Sequence, residues 1–371
     1  MMYSYSTCWI NGKTISIEDI RQDNVVAADD FERHTFSFMR AWLNGQQHFE
    51  IHTSGSTGTP KAIVLTRDQM TVSAQVTATA LALEGGLSAL VCLDTRYIAG
   101  QMMIVRCLVT GMQLFAVTPT VNPVQSLPHD VCIDFTALVP YQLYGILASP
   151  ARERFNTLKT VIIGGAPLHP RTLDALRPFR CRFYATYGMT ETISHIALQA
   201  LNGKNASPYF DVLPGVKVGQ DDRQCLTIEA PHLPQKVITN DIVKLDGQRF
   251  QWLGRWDNII NSGGVKIIPE KVEAAIVEVF QRLAIEYDFF IAGLPDEKLG
   301  EKVFLVIQGL AFDTEMQVRL SQALREYLSR YEIPREVVVL KSFVFTENGK
   351  LNRYYTLQNI DKSLQNFTLK Y

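Results

Sequence analysis

From residue 88 the chain alternates short, nearly uninterrupted apolar runs with longer segments of helical length. Residues 89–93, 114–117, 131–135 and 160–163 read as strands whose positions are apolar on both faces. Residues 97–110, between the first two runs, are long enough for a helix that stops at Gly111. A strand that is apolar on both faces must be covered on both faces. The pattern therefore predicts an α/β fold, a mainly parallel sheet flanked by helices. In such sheets ligands gather beyond the carboxyl ends of the strands. Gly164-Gly165-Ala166-Pro167 begins where one strand is expected to end, and Tyr187-Gly188-Met189-Thr190-Glu191-Thr192 begins after another, 183–186.

The pattern changes after Gly254. Pro269 suits a first helical position, and Val272, Ala275, Ile276, Val279, Phe280 and Leu283 make an apolar stripe. Strands are expected at 288–292, 302–307 and 337–340. Thr314 with Gln317 is expected to cap a helix whose face carries Met316, Leu320, Ala323, Leu324, Tyr327, Leu328 and Tyr331. This describes a small α+β domain that starts near residues 255–257.

A third feature lies upstream. Thr53-Ser54-Gly55-Ser56-Thr57-Gly58-Thr59-Pro60-Lys61 sits between two runs, 49–52 and 62–65, that read as strands. Its hydroxyls and lysine can meet phosphate oxygens, and its glycines let successive amide hydrogens converge on an anion. A Walker A loop opens a helix with Gly-Lys-Ser/Thr, so Pro60 and the following strand exclude that motif. Taken alone, the same composition also fits a polar hairpin turn. Thr66 and Gln69 predict a capping box that opens a helix running to about residue 83.

Four segments in order, 53–61, 187–192, Gly254-Arg255-Trp256-Asp257 through Gly264, and Thr346-Glu347-Asn348-Gly349-Lys350 through Arg353, resemble the adenylate-forming superfamily of acyl-CoA synthetases, luciferases and peptide-synthetase adenylation domains. The similarity runs from about residue 52 to residue 353. It implies an ATP-dependent ligase with Mg²⁺ as cofactor and coenzyme A as co-substrate. On that resemblance Thr53, Ser54, Gly55, Ser56, Thr57, Gly58 and Lys61 hold the β- and γ-phosphates of ATP. Gly165, Ala166, Pro167, Tyr187 and Gly188 enclose adenine. Thr190 serves the α-phosphate, Glu191 the Mg²⁺ ion, and Asp241 the ribose hydroxyls. Asn240 stands where the family usually has glycine, a mild departure because asparagine tolerates left-handed backbone angles. Arg255 would contact ribose and phosphate, and Lys350 would bridge the substrate carboxylate and the α-phosphate. The implied organisation is an ATP- and carboxylate-binding domain at 1–254, a hinge at 255–257 around Asp257, and a mobile domain at 258–371 that carries Lys350. Gly263 and Gly264 would line a channel for the thiol. Only 52 residues precede the loop, so an early subdomain is expected to be reduced.

Within the superfamily, residues 100–106 with Gly111, and residues 189–198, resemble the o-succinylbenzoate–CoA ligases of menaquinone biosynthesis. That small aryl acid has two carboxylates, and burying a bare charge is costly. Tyr97, Gln101, Arg106, Ser194 and His195 are the candidate substrate-binding residues. An arginine on a helix equally fits a snorkelling side chain, and Tyr97 falls where these enzymes often have histidine. Another aryl or short-chain acyl-CoA ligase, a stand-alone domain loading a carrier protein, and a non-catalytic nucleotide-binding protein are the alternatives.

Composition narrows the partners. With 371 residues, 47% of them hydrophobic, the chain has material for more than one core. A net charge of −1 gives no electrostatic case for nucleic acid. Six singly scattered cysteines form no metal-ligand pair, and the expectation is a reducing compartment. The first residues lack the pattern of a signal peptide, and the longest apolar region is broken by Asp94, Arg96 and Arg106. A soluble, cytoplasmic protein without membrane insertion is expected.

Overall fold

A computed structural model describes residues 5–52, 62–168, 170–345 and 351–369. The chain divides into two compact units. One comprises Met1–Gly219, Thr227–Val237 and Leu245–Gln251; the other comprises Gln220–Leu226, Ile238–Lys244 and Trp252–Tyr371.

In the first unit, β1 (Thr7–Ile10) and β2 (Lys13–Ser16) form a hairpin, followed by α1 (Ile17–Arg21) and α2 (Asp30–Leu43). The pair β3 (His48–His52) and β4 (Ala62–Thr66) runs antiparallel, with His52 opposite Ala62. It therefore brings together the two ends of segment 53–61, whose own residues lie outside the described residues. Next comes α3 (Arg67–Leu81), which opens on the expected capping box. The Gln69 amide donates to Thr66 Oγ1 at 3.2 Å, and the Thr66 amide donates to Gln69 Oε1 at 2.8 Å.

The βα succession continues through β5 (Ser88–Val91), α4 (Ile98–Thr110), β6 (Gln113–Ala116), β7 (Phe135–Leu138), α5 (Pro140–Leu147), β8 (Thr160–Ile163), α6 (Pro170–Leu176) and β9 (Arg182–Gly188). The strand order is β9-β8-β7-β5-β6-β1, and every neighbouring pair is parallel. All residues of β5, β7 and β8 are buried, as their continuous apolar character requires. Then β10 (His195–Ala200) and β11 (Phe210–Val212) extend the sheet antiparallel beyond β9. The six residues between β9 and β10 are too few for a parallel crossover.

Two expected strands shift. The run at 131–135 is a strand only from Phe135 onward, because side chains rather than a ladder hold the stretch before it. Asp134 Oδ2 accepts from the Ser88 amide at 2.8 Å, and Arg154 donates to the Val131 carbonyl at 3.0 Å. The run at 183–186 continues to Gly188, with Tyr187 opposite Ala197 and Gly188 opposite His195. The motif at 187–192 thus starts inside the sheet rather than after it.

Strands β12 (Lys217–Gln220), β13 (Cys225–Glu229), β14 (Val237–Asp246) and β15 (Arg249–Arg255) carry residues of both units. The rest of the second unit contains β16 (Ile260–Ser262), β17 (Val265–Ile267), α7 (Pro269–Arg282), β18 (Asp288–Asp296), β19 (Gly300–Gln308), α8 (Thr314–Tyr327), β20 (Glu336–Leu340), α9 (Arg353–Leu357) and β21 (Gln365–Thr368). Its core joins Val272, Ile276 and Val279 of α7 to Leu320 and Leu324 of α8 and to Leu305 and Val337 of the sheet. A smaller cluster of Phe290, Phe304, Val338 and Phe343 also packs in this unit.

Pro269 is the first residue of α7, as expected. The cap of α8 is Asp313 rather than Thr314. Its carboxylate accepts from the Met316 amide at 2.7 Å, while Gln317 donates to the Phe312 carbonyl. Tyr327 and Tyr331 are 44% and 56% exposed, because the helix ends at Tyr327, while Leu328 just beyond it stays in the core.

Arg353 anchors the chain just after segment 346–350. It donates to Glu273 Oε2 at 3.0 Å and to the Ile291 carbonyl at 3.3 Å, and its guanidinium lies over the Phe290 ring. Burial raises the Glu273 carboxyl above its ordinary range, and the Arg353 charge opposes that shift. Arg353→Ala should therefore cost about 1–2 kcal/mol, between an exposed and a buried pair, since both side chains are half-buried and Glu273 keeps the Ile291 amide. Urea unfolding with an unchanged m-value would measure it.

Candidate functional site

The carboxyl ends of β7, β8 and β9 open onto a cavity of about 250 Å³ in the first unit. Leu138, Ile162, Gly164, Gly165 and Thr186 line it from the strand side. Ile98, Ala99 and Arg106 line it from α4, Met189, Thr190, Ile193 and Ser194 from the β9–β10 turn, and His195 from the start of β10. Its position is where an open α/β sheet places a ligand.

Two glycines make this geometry possible. A Cβ on Gly188 would lie 2.5 Å from the Ser194 carbonyl oxygen and the His195 Cα, so only glycine lets the turn fold back so closely. Gly165 has φ +99°, a conformation that favours glycine, and it carries the chain away from β8 along the cavity wall. Ala166 and Pro167 follow it and are exposed.

The turn itself is strained and tied down. Ile193 is buried and β-branched, yet it has φ +68°. Thr192 Oγ1 accepts from the Met189 amide at 2.9 Å and lies 2.8 Å from the Ser194 carbonyl, which it can reach as a donor. These bonds hold Thr190 on the cavity wall. Glu191 is exposed beside it. Its hard oxygens fit a Mg²⁺ ion as one ligand, and no group of three His, Cys, Asp or Glu that could hold a metal occurs among the described residues. The Tyr187 ring packs edge-on against Phe250 at 5.0 Å and Phe210 at 5.8 Å between centroids.

The polar wall is built around Arg106, which is 2% exposed. Its Nη2 donates to Ser194 Oγ at 2.6 Å, while its Nε has no hydrogen-bond acceptor among the described residues. No carboxylate pairs with it among the described residues, and burial pulls it down to about 10. It remains a cation at neutral pH. Ser194 Oγ lies 3.4 Å from His195 Nδ1, and His195 Nε2 lies 3.1 Å from Thr77 Oγ1 of α3. Burial, and then the Arg106 charge, hold His195 well below the ordinary histidine range, so the ring is neutral.

Tyr97 and Gln101 do not line this cavity. Tyr97 is the N-cap of α4, beneath the Arg96 guanidinium, and Gln101 donates to the Thr95 carbonyl at 3.1 Å. Conversely Ile98, Ala99, Met189 and Thr77 were not among the expected site residues. Ala99 lies seven residues before Arg106, two helical turns along the same face, and that spacing was the available signal. Nothing in the sequence singles out Thr77.

The second unit holds a separate polar cluster. Asp241 on β14 accepts from Trp252 Nε1 at 3.1 Å and lies 3.9 Å from the Arg255 guanidinium. Arg255 donates to Asp257 Oδ2 at 2.7 Å. Asn240 Nδ2 donates to both oxygens of Asp257, at 3.0 and 3.2 Å, while its Oδ1 accepts from Arg223 at 2.8 Å. Gly263 and Gly264 form the two-residue turn between β16 and β17, with φ +59° and +83°, the signs a type I′ hairpin needs. Lys350 and residues 53–61 lie outside the described residues. The flanks of the lysine segment are joined by a bridge between Phe345 and Leu351.

Residues 44–219 match the family model described as AMP-binding enzyme. An acyl-CoA synthetase (AMP-forming)/AMP-acid ligase II-like protein from Dyadobacter fermentans, known from its crystal structure, is 40% identical to this chain. The match covers 92% of this chain and 97% of that one, with a TM-score of 0.61. The 2-succinylbenzoate–CoA ligase of Salmonella typhimurium is 26% identical, over 92% of this chain and 75% of that protein. The o-succinylbenzoate coenzyme A synthetase of Bacillus subtilis, solved in complex with ATP and magnesium ion, shares the fold. It has a TM-score of 0.68 and 21% identity, over 83% of this chain and 69% of that one.

Proposed function

This chain belongs to the AMP-binding enzymes, with the AMP-forming acyl-CoA synthetases, and from that premise we propose that it is an ATP-dependent o-succinylbenzoate–CoA ligase of menaquinone biosynthesis. The observation that carries the substrate is Arg106, a buried guanidinium on the wall of the 250 Å³ cavity with no carboxylate partner among the described residues. A buried cation without an anion is costly, and an arriving carboxylate offsets that cost.

In the first step the other carboxylate of the substrate attacks the α-phosphorus of ATP. An acyl–phosphate bond forms, the bond to pyrophosphate breaks, and acyl-adenylate remains. Thr190 donates to the α-phosphate, and Lys350 bridges that phosphate and the attacking carboxylate. Residues 53–61 hold the β- and γ-phosphates, Asp241 and Arg255 hold the ribose, and the turn after β8 with Tyr187 and Gly188 encloses adenine. Glu191 would hold Mg²⁺, which neutralises phosphate charge when bound. In the second step the thiol of coenzyme A loses its proton and attacks the acyl carbon; a thioester forms and AMP leaves. The divisions that serve this chemistry are a large domain at 1–254, a hinge at 255–257 and a mobile domain at 258–371, with Gly263 and Gly264 beside the incoming thiol. Free cysteines throughout the described residues support a cytoplasmic site of action. No helix among the described residues is long and apolar enough to cross a membrane.

Pyrophosphate release with ATP, Mg²⁺ and a panel of carboxylates tests the assignment. Turnover of o-succinylbenzoate above other aryl acids supports it; turnover of other acids with none of o-succinylbenzoate overturns the substrate and leaves the class. The hinge has its own test. Asp257→Pro should slow the thioester step more than adenylation, because proline fixes φ where the rotation needs freedom. Equal slowing of both steps would count against the hinge.

A further inference from the structure

We propose that Thr77, on a helix that does not line the cavity, is a positioning residue that aims Arg106 at the second carboxylate of the substrate through His195 and Ser194. The proposal rests on the o-succinylbenzoate reading for its substrate, but not for its geometry.

The argument is one of donors and acceptors. Thr77 is fully buried, and its hydroxyl oxygen, which carries one proton, lies 3.2 Å from the Ser73 carbonyl, which can only accept. If Thr77 donates there, its oxygen is left to accept from His195 Nε2–H at 3.1 Å. His195 Nδ1 is then the unprotonated nitrogen and accepts the Ser194 hydroxyl proton at 3.4 Å. That leaves Ser194 Oγ with its lone pairs toward Arg106, whose Nη2 donates at 2.6 Å. In this arrangement each contact from Arg106 Nη2 to Ser73 pairs one donor with one acceptor. The opposite tautomer would have Ser194 Oγ accept from both Arg106 and His195 and turn its own proton toward the cavity, and would draw the Thr77 proton away from the Ser73 carbonyl. Thr77 and His195 are buried, and buried polar groups are held to pairing of the first kind.

The consequence reaches the cavity. With Nη2 held by Ser194, the rest of the guanidinium is oriented, and its Nε is a buried donor without an acceptor among the described residues. A planar guanidinium recognises a carboxylate by direction as well as charge, so fixing the plane sets the affinity for one substrate group. The neutral state of His195 is part of the device, since an imidazolium would donate from Nδ1 toward Ser194 as well as from Nε2 toward Thr77, and would place a second positive charge beside Arg106.

The test pairs a spectroscopic signature with a substrate comparison. In ¹⁵N-histidine-labelled protein, whose seven histidines are few enough to resolve, the His195 signals are assigned by their loss in His195→Asn. The expected wild-type pattern is a protonated Nε2 and an unprotonated Nδ1. Thr77→Val, which keeps shape and removes the hydroxyl, should shift that pattern. It should also raise KM for o-succinylbenzoate about tenfold, the effect expected of a lost buried hydrogen bond. KM for 3-benzoylpropionate, the same acid without its ring carboxylate, should stay unchanged. Thr77→Ser should restore both readouts. A wild-type His195 protonated on Nδ1, a Thr77→Val enzyme with wild-type KM, or equal KM increases for both acids would each overturn the proposal. If the wild type fails to use o-succinylbenzoate at all, the functional reading falls, and the tautomer measurement alone still decides whether the relay exists.

Discussion

Arg106→Met should lower kcat/KM for o-succinylbenzoate about a hundredfold while leaving the protein at least as stable as the wild type. The two effects have one cause. Burial lowers the guanidinium from its ordinary value to about 10, which corresponds to about 3 kcal/mol of unfavourable desolvation in the folded state. Methionine fills much of the same space without the charge, so thermal unfolding should occur at an equal or higher temperature. The sign with pH is definite. A base whose folded value is depressed is charged in both folded and unfolded states below about 10, so its cost is constant across neutral pH and is relieved only above that value. The stability gain of Arg106→Met should therefore be flat from pH 6 to pH 8. Activity on 3-benzoylpropionate should change little, since that acid has no second carboxylate to lose its partner. Destabilisation with equal loss on both acids would mean that Arg106 serves the fold.

Lys350→Ala should abolish carboxylate-dependent pyrophosphate release. An ammonium about 3.5 Å from two anions contributes several kcal/mol at an effective dielectric near 20, so its removal should cost on the order of a hundredfold or more. The thioester step, begun from chemically supplied acyl-adenylate, should be affected far less, because the bridge is needed only while carboxylate and phosphate are being joined. Near-normal pyrophosphate release by the variant would refute the role. So would equal loss of both half-reactions.

The parallel block of the sheet was legible because its strands are buried on both faces, which leaves a periodicity-free apolar signature that few other elements share. The capping box at Thr66 and Gln69 was equally readable, being a local pattern of two side chains. Boundaries set by long-range side chains were not. Residues 131–134 are apolar enough for a strand, but Asp134 reaches back to Ser88 across the sequence, and only the fold brings them together. Asp313 displaced Thr314 as a cap by a single position, a choice that depends on the entry angle of the chain.

In the site, Arg106, Ser194 and His195 were suggested by resemblance alone, and the fold brings them together from α4 and the β9–β10 turn. Gln101 and Tyr97 were drawn from the same helix as Arg106. At about 100° per residue, however, positions five and nine residues away fall well round the helix from Arg106. Thr77 was invisible because a threonine in mid-helix bonds to its own preceding turn in many proteins. What distinguishes it is a histidine brought from 118 positions away.

The most direct test incubates the protein with ATP, Mg²⁺ and o-succinylbenzoate in the absence of coenzyme A and identifies the bound product by mass spectrometry. The expected product is the o-succinylbenzoyl adenylate, formed in stoichiometric amount by the wild type and absent from Lys350→Ala. Recovery of unreacted acid and ATP, from protein that forms an adenylate with some other carboxylate, would contradict the assignment.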